Sequence, residues 1–339
     1  MKRPITAFLR DQWQKAPPAL SANLKGKTVV VVGANSGLGF EATKHFARMN
    51  PGRLILACRS QQRGDAAVER IKIETGYNSA AVWLVDLNKF ASVKAFADKF
   101  ENEGGRLDLL IENAGTLPNT DYLPHLTGDG WEEALQINHL GLSLLGLRLI
   151  PRLLQTAQEH STTPRLVLVT SDLHYMSSFE KRVTDSPNPL RLFGSKEYCT
   201  TSILRSRYRD SKLLNVFFVR ALQERLGDKP LIVNCVNPGY CYSGLRSSFS
   251  GLRALLDRLV ELLLARSTEE GSRQLIWGAL GEDPQIRGAY ISMSEVNEPS
   301  DYVIAEEGKK IQDKLWDDLI KELSVVDPAV KNIVDNLST

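Results

Sequence analysis

A tyrosine and a lysine four residues apart, Tyr208 and Lys212, are the residues of this 339-residue chain that most directly suggest chemistry. On a helix, this spacing places both side chains on one face, about one turn apart. A free tyrosine loses its proton near pH ~10, and a neighbouring cation lowers that pKa. The pair is therefore a candidate acid and base for a substrate oxygen. By itself, the spacing is weak evidence, because it is more typical of a solvated surface pair on a helix.

A glycine-rich turn lies near the start of the chain, between a predicted strand and a predicted helix. Residues 27–32 are almost all β-branched, as in a strand buried on both faces of a parallel sheet, and residues 40–49 have helical apolar spacing. In this context, glycines let the backbone approach a pyrophosphate, and the helix N-terminus favours the anion. An ordinary glycine turn is the alternative. The cofactor contacts that we predict here are Gly33, Asn35, Ser36, Gly37, Leu38 and Gly39.

The end of the second predicted strand, residues 53–58, indicates which nicotinamide cofactor is bound. An NAD-binding unit carries an acidic residue near this point, which binds the ribose 2′-hydroxyl. Here the strand ends in Cys58 and Arg59, with no acid. A guanidinium is planar and permanently charged, and it suits a 2′-phosphate. The sequence therefore predicts NADP(H), with Arg59 as a cofactor residue, unless Arg59 is simply a surface arginine.

Strands and helices continue to alternate beyond this point. Predicted strands at 81–85 and 107–111 are separated and preceded by helical stretches. This rhythm predicts an α/β fold: one Rossmann-type, doubly wound domain with a parallel sheet of about seven strands. Ligands bind beyond the carboxyl ends of such strands. Asp86 could accept a hydrogen bond from an adenine, and Asn113 could instead only satisfy the loop backbone. The cofactor residues expected at these ends are Asp86, Leu87, Asn113, Ala114 and Gly115.

Two polar residues of the next segment are candidates for the active site. Asn138 lies in the apolar face of a long helical pattern over 131–158, where an amide without partners costs roughly 1–3 kcal/mol. We expect it to hold a buried water or a bent backbone, whereas the adjacent His139 is interpreted as a packing or surface residue. Ser171 follows the predicted strand at 166–170, so its hydroxyl should face the same crevice as the glycine turn.

The remaining segments are expected to build the substrate pocket. Residues 172–206 form a long connection, which we interpret as the pocket wall. A sixth strand, 231–236, precedes a turn whose backbone could wrap a ring. Residues 240–266 are expected to form a lid, in which the apolar helix at 252–265 could cover the substrate, contact a membrane surface, or be a core or oligomer-interface helix. The predicted cofactor contacts of the turn are Pro238, Gly239, Cys241 and Ser243.

The ends of the chain are expected to lie outside the main domain. We place that domain at residues 27–323, with a seventh strand near 289–293 and a last helix at 308–323. An N-terminal extension, 1–26, could form a short amphipathic helix packed on the body. The C-terminal tail, 324–339, is expected to be loose.

Composition excludes several classes of protein. Basic and acidic residues nearly cancel, 42 against 40, so nothing points to a nucleic-acid partner. No apolar run is long enough to span a bilayer. Four cysteines without C-x-x-C spacing indicate reduced thiols and a cytoplasmic protein, and we expect no metal.

In their order along the chain, these motifs resemble those of the short-chain dehydrogenase/reductase family, over roughly residues 27–293. The surroundings of Arg59 and Asn138 are similar to the retinol-dehydrogenase-like branch, which has many fungal members. The resemblance implies hydride transfer between a nicotinamide and a carbonyl carbon. It also implies that Tyr208 exchanges the proton, Lys212 lowers the tyrosine pKa and holds the ribose, Ser171 orients the carbonyl, and Asn138 positions a relay water.

The function expected from these features is NADP(H)-dependent interconversion of a ketone or aldehyde and an alcohol on a lipophilic small molecule. A secondary-metabolite intermediate, such as a terpenoid or polyketide, fits the apolar lid. The alternatives are a retinoid or steroid dehydrogenase working at a membrane surface and a regulatory protein that binds NADPH without turnover. The complete set Ser171, Tyr208 and Lys212 opposes the last of these. A homo-oligomer is a further possibility.

Overall fold

A computed structural model of the chain describes residues 4–103, 105–119, 121–246, 249 and 251–337. Residues 1–3 of the predicted extension, residues 247, 248 and 250 of the predicted lid region, and residues 338–339 of the predicted tail lie outside the described residues. Within the described chain, no helix is both long and apolar enough to cross a bilayer.

One twisted sheet runs through the protein, in the order β3-β2-β1-β4-β5-β6-β7-β8. Its first seven strands are parallel, and β8 pairs with β7 in the antiparallel sense. The strands are β1 (Thr28–Val32), β2 (Arg53–Cys58), β3 (Ala80–Leu84), β4 (Leu109–Glu112), β5 (Arg165–Val169), β6 (Ile232–Asn237), β7 (Tyr290–Ser292) and β8 (Glu295–Asn297).

The predicted α/β architecture is confirmed, but the sheet has an eighth strand that the sequence pattern does not indicate. This strand, β8, has only three residues and follows β7 through a tight hairpin. Met293 and Ser294 form the turn with φ values of 56° and 61°, a conformation that usually favours Gly or Asn. Because neither turn residue is of that type, no turn signal separates the two strands.

Helices cover both faces of the sheet. One face carries a core that includes Phe96, Leu149 and Phe217, and the other a core that includes Phe46 and Ile276. The helices are α1 (Ile5–Trp13), α2 (Gly37–Arg48), α3 (Gln61–Thr75), α4 (Phe90–Asn102), α5 (Glu133–Leu135), α6 (Gly141–His160), α7 (Lys181–Thr184), α8 (Pro189–Phe193), α9 (Thr201–Leu226), α10 (Gly251–Leu264), α11 (Thr268–Leu280), α12 (Asp301–Ile304), α13 (Glu306–Val326) and α14 (Ala329–Asp335).

Residues 172–206 are more ordered than a long connection suggests. They contain a 3₁₀ turn (Asp172–Met176) and the short helices α7 and α8, and α9 begins well before Tyr208. A fully buried Arg207 fixes this wall to the body. Its Nη2 donates to the Phe193 carbonyl (2.7 Å), and its Nε lies 3.1 Å from a carboxylate oxygen of Glu132.

The C-terminal residues are not loose, and that expectation is wrong. Helix α13 continues through Val326, and α14 follows it and packs on α6. Val330 and Leu337 are buried there, and Arg148 of α6 pairs with Asp327. Burial of these apolar side chains and the ion pair gives this short stretch the contacts that a solvated tail would lack.

At the other terminus, α1 lies against the segment that follows β6. Gln12 is buried, and its Nε2 donates to the carbonyls of Tyr240 (2.9 Å) and Leu264 (2.7 Å). Its Oε1 accepts from the Tyr240 N–H (3.0 Å). The N-terminal helix is therefore fastened to both ends of the predicted lid region.

Candidate active site

Tyr208 and Lys212 lie on α9, as their spacing predicts. The Lys212 ammonium is buried and lies 5.6 Å from the centre of the Tyr208 ring. Its Nζ donates to the carbonyl of Val169 (2.8 Å), the last residue of β5. Burial favours the neutral amine and lowers the pKa of Lys212 to about 8. The amine is therefore close to its protonation equilibrium near neutral pH.

The tyrosine differs from the expectation. Desolvation of the half-buried phenol raises the pKa of Tyr208 to about 12, and the Asp172 carboxylate acts in the same direction, whereas Arg246 opposes them. The prediction that Lys212 lowers this pKa is wrong for the chain by itself. The physical reason is that desolvation dominates, while the ammonium is directed at the carbonyl of Val169. At neutral pH the phenol holds its proton and can donate it.

Asn138 lies in a widened π-turn, Gln136–Leu140, between α5 and α6. Its Oδ1 accepts from the Thr116 N–H (2.7 Å), and its Nδ2 donates to the Thr116 carbonyl (2.8 Å) and to Ser211 Oγ (3.1 Å). The Asn138 carbonyl accepts from Asn215 Nδ2 (3.0 Å). Of the two expected alternatives, the bent backbone is present. The amide ties the loop after β4 to α9, beside Lys212.

His139 is a packing residue, in line with its interpretation from the sequence. It is buried, and its Nδ1 lies 2.9 Å from Asn215 Oδ1. Because an amide oxygen can only accept, Nδ1 carries the proton. Burial lowers the pKa of His139 to about 4, so the ring is neutral at physiological pH.

The glycine turn has the shape that a phosphate requires. Gly33 and Gly37 have φ values of 78° and 59°, which disfavour other residues. A Cβ on Gly39 would lie 2.3 Å from the Gly33 carbonyl oxygen, so the turn is closed on its inner side, whereas a Cβ on Gly37 would meet nothing within 4 Å. Ser36 precedes α2 without a side-chain capping bond. The first N–H groups of α2 are therefore available to an anion.

The residues after β4 support the glycine turn and lie beside Lys212. Asn113 Nδ2 donates to the carbonyls of Val32 (3.3 Å) and Gly33 (3.2 Å), so it satisfies loop backbone, which was one of its two predicted roles. Ala114 touches Gly33. Gly115 lies beside Lys212, because a Cβ here would lie 3.5 Å from Lys212 Nζ, at ordinary contact distance.

The predicted adenosine-side residues lie at the same edge. Arg59 is exposed directly after β2. Asp86 Oδ1 accepts from the Asn88 N–H (3.2 Å), which shapes the loop after β3. Leu87 is buried, and its carbonyl lies 2.8 Å from the position of a Cβ on Gly141, so it packs against α6 through its backbone.

Ser171 begins the 3₁₀ turn after β5. Its Oγ accepts from the Leu173 N–H (3.2 Å) and lies 3.4 Å from Asp172 Oδ1. The preceding Thr170 donates its hydroxyl to the Lys212 carbonyl (2.8 Å). This bond places the serine next to the first half of α9, and so on the side of the sheet where Tyr208 lies.

The turn after β6 completes the edge. Asn237 Oδ1 accepts from the N–H groups of Asp172 (3.2 Å) and Gly239 (3.1 Å), and so joins the serine turn to Pro238-Gly239. Cys241 is buried, its thiol donates to the Pro238 carbonyl (3.2 Å), and burial raises its pKa to about 12. Cys241 is therefore a structural thiol. Ser243, two residues further on, is half-buried.

Comparisons with known proteins identify the family. Residues 27–180 match the family model described as short chain dehydrogenase. A curated relative, "Short chain dehydrogenase/reductase dmxR8" from Cryptosporiopsis sp., is 34% identical over 328 residues, which is 95% of this chain and 98% of the relative. The protein belongs to the short-chain dehydrogenase/reductase family. It is thus a member of an oxidoreductase family that acts on CH–OH groups.

A second curated relative agrees with this assignment, and a solved structure agrees with the fold. "Short chain dehydrogenase atnD" from Emericella nidulans is 35% identical over 293 residues, 85% of this chain and 90% of the relative. Among solved structures, the "Pseudomonas aeruginosa RhlG/NADP active-site complex" has a TM-score of 0.60 at 19% identity, and covers 80% of this chain and 95% of its own. The family prediction is confirmed, whereas the retinol-dehydrogenase-like branch stays a prediction.

Sequence reasoning missed four side chains of this short-chain dehydrogenase/reductase. Ser211 lies within the Tyr208–Lys212 motif and Asn237 directly precedes Pro238-Gly239, so their positions in the sequence could have indicated a role in the site. Asp172 directly follows Ser171. Arg246 carried no signal, because it acts through partners that only the fold brings near.

Proposed function

We propose that this enzyme interconverts a ketone or aldehyde and an alcohol on a lipophilic small molecule, with NADP(H) as the cofactor. The observation that carries the proposal is the arrangement on α9. A protonated Tyr208 phenol and a buried Lys212 amine share one helix face, next to the turn that begins at Ser171. A bound nicotinamide would supply the hydride. The chain supplies the proton and the positioning.

In the reductive direction, Tyr208 donates its proton to the substrate oxygen. Its raised pKa keeps that proton in place until negative charge develops on the oxygen. The Ser171 hydroxyl donates a hydrogen bond to the same oxygen and orients it. Lys212, with a pKa of about 8, can return a proton toward Tyr208 near neutral pH. Asn138 and Ser211 hold the backbone around this path, and a relay water between Asn138 and Lys212 belongs to the proposal.

The residues at the carboxyl edge of the sheet fit NADP(H). The open Gly37 and the uncapped start of α2 suit the pyrophosphate, and the exposed guanidinium of Arg59 suits a 2′-phosphate. RhlG, which has a similar fold, was solved with NADP. The residues that would hold the cofactor are Gly33, Asn35, Ser36, Gly37, Leu38, Gly39, Arg59, Asp86, Leu87, Asn113, Ala114, Gly115, Tyr208, Lys212, Pro238, Gly239, Cys241 and Ser243.

The proposed substrate class rests on the apolar character of the wall and of the lid region. The wall formed by residues 172–206 packs aromatic side chains such as Phe179 and Phe193, and the lid helix α10 carries its leucines on the side that faces away from the body. A polyketide or terpenoid intermediate of secondary metabolism has the apolar character that would suit these segments. The buried, unpaired thiols fit a cytoplasmic enzyme.

The test is NADPH oxidation against a panel of lipophilic ketones and aldehydes, with the Tyr208→Phe variant measured beside the wild type. We expect turnover in the wild type and a loss of about 1,000-fold or more in the variant, with NADPH binding retained. Tight NADPH binding without turnover in either protein would favour a regulatory role instead. Turnover that survives in Tyr208→Phe would refute the assignment of the acid.

Cofactor choice is tested separately with Arg59→Ala. We expect the KM for NADPH to rise about 10-fold or more, and the KM for NADH to stay nearly unchanged. Lys72→Ala, at an exposed position in the last turn of α3, is the matched control and should change neither constant. An equal loss for both cofactors would show that Arg59 does not bind the 2′-phosphate.

A further inference from the structure

Helix α10 has its polarity reversed with respect to an ordinary surface helix. Asp257 and Glu261 face the body, where they accept hydrogen bonds from Arg246 (3.1 and 2.6 Å). The opposite side, here called the outer face, is apolar, and Leu262 and Leu263 are 69% and 74% exposed. A helix in solution normally buries its apolar stripe. The exposed apolar residues of the outer face are Leu255, Leu256, Leu259, Val260, Leu262 and Leu263.

Helix α1 repeats this arrangement beside α10. Its polar Gln12 is buried and hydrogen-bonded, whereas Ile5 and Trp13 are each 68% exposed. The Trp13 indole donates to the Leu263 carbonyl (3.4 Å), so this ring borders the outer face. Two neighbouring helices therefore direct polar groups inward and large apolar groups outward. Contiguous apolar surface of this kind marks a contact with another body.

The charges on this surface have one sign. On the described side chains of α1 and α10, the exposed charged groups are Arg10 and Arg258. Asp11, whose Oδ1 lies 3.2 Å from Arg10 Nε, and Asp257 and Glu261, which pair with Arg246, are largely covered. Basic groups beside a leucine- and tryptophan-rich face are the composition of a helix that lies in the interface of an anionic membrane.

We propose that the surface formed by α1 and the outer face of α10 docks on a membrane that carries anionic lipid. A second copy of the chain fits this surface less well. In a twofold contact, each basic group would meet basic groups of the same surface, and the exposed part of α10 offers no acid to pair with them. Anionic headgroups would supply negative charge opposite Arg258 and the largely exposed Arg10.

The surface borders the active site. Arg246, which holds Asp257 and Glu261 of α10, also donates to the Cys241 carbonyl (2.8 Å) and is close enough to affect the Tyr208 pKa. Docking would therefore set the entrance of the pocket against the bilayer. If the proposed reaction on a lipophilic substrate holds, the substrate could enter from the lipid in which it is dissolved.

The proposal is tested by co-sedimentation of the full chain with vesicles. The vesicles are phosphatidylcholine alone and phosphatidylcholine mixed with phosphatidylserine. We expect the wild type to bind the mixed vesicles at least about tenfold more tightly than the neutral ones, and binding to weaken as salt is raised. The double variant Leu259→Glu/Leu263→Glu should lose at least about tenfold in binding. Ile73→Glu, at an exposed apolar position on α3, is the control and should bind as the wild type does.

Each other outcome contradicts the proposal. Wild-type protein that stays in the supernatant with both vesicles overturns it, as does equal binding by the double variant. A wild-type dimer in light scattering that the double variant converts to a monomer, without vesicle binding by either, assigns the surface to a second copy. NADPH oxidation with a water-soluble carbonyl compound is measured in parallel. Because this assay needs no membrane, failure of the catalytic proposal is distinguished from failure of docking.

Discussion

The environment of Lys212 and the lid around α10 both turn polar residues toward the interior, but they differ in where their apolar side chains lie. Around Lys212, polar groups are drawn into the core, and Lys212, Asn138 and Ser211 each have defined partners there. At α10, polar groups are also turned inward, toward Arg246, but the apolar side chains are left outside. Around Lys212, burial shifts the pKa of the lysine. At α10, the exposed apolar side chains are available for a contact with another surface. We therefore expect substitutions in the two regions to have very different effects on activity and stability.

The largest expected effect concerns the charge buried at Lys212. Its pKa is about 8 in the folded chain and 10.5 for a free side chain. Between these values, the unfolded chain holds a proton that the folded chain has released. The lysine therefore makes the free energy of unfolding rise with pH across this window, by up to about 3 kcal/mol. The measurement is urea unfolding of the wild type and of Lys212→Met between about pH 7.5 and 10. We expect the free energy of unfolding to rise with pH in the wild type only. Parallel curves would mean that the ammonium is not desolvated.

The next prediction concerns the amide that ties the loop after β4 to α9. Asn138→Leu keeps the branched shape of the side chain but removes three hydrogen bonds, so Thr116 and Ser211 lose their positions. We expect kcat to fall about 100-fold, because small displacements of catalytic groups are costly. NADPH binding measured by fluorescence serves as the check on folding. A kcat within about twofold of the wild type would show that Asn138 only packs.

At the lid, we expect a smaller effect, confined to the substrate. Arg246→Met removes the bonds that hold α10 near Tyr208, so the KM for a lipophilic carbonyl should rise about tenfold while kcat changes little. Arg258→Met, on the exposed side of the same helix, is the matched control and should leave the KM unchanged. A fall in kcat with no change in KM would instead place Arg246 in the proton-transfer step.

The smallest expected effect lies on the outer face. Leu255→Ser removes an exposed side chain, so the free energy of unfolding should change by less than about 0.5 kcal/mol. The same measurement on Leu213→Ala, at a buried position of α9, should show a loss of about 3 kcal/mol. Comparable losses at the two leucines would mean that the outer face is covered within the protein itself.

The sequence predicts that the candidate active-site residues lie at one edge of the sheet, because the carboxyl ends of parallel strands lie at the same edge. Ser171, Lys212 and the glycine turn follow strand ends or lie on a helix beside them, so the topology alone brings them to one edge. A bent backbone at Asn138 was one of two predicted alternatives, but the spacing could not show that Asn215, far away in sequence, donates to the Asn138 carbonyl in this π-turn. Nor could the spacing show the raised pKa of Tyr208, because desolvation is a property of the folded environment.

In the lid region, the sequence predicts the helix but not its orientation. The leucine spacing of α10 predicts a helix, and α10 is one, but the usual rule that the apolar side faces the core gives the wrong orientation. What decides the orientation is Arg246, which takes Asp257 and Glu261 as partners from outside the helix. Periodicity within a helix contains no information about such a partner.

The buried Arg207 bears on how this enzyme could acquire new substrates. Its guanidinium links the Phe193 carbonyl of the wall to Glu132, at the start of the segment that carries Asn138. The wall and the segment that carries Asn138 are therefore structurally linked. Exchanging residues 172–206 for those of another enzyme would break this link unless positions 132 and 207 were exchanged as well. The lid has fewer such ties, so drift or engineering of selectivity should proceed fastest there.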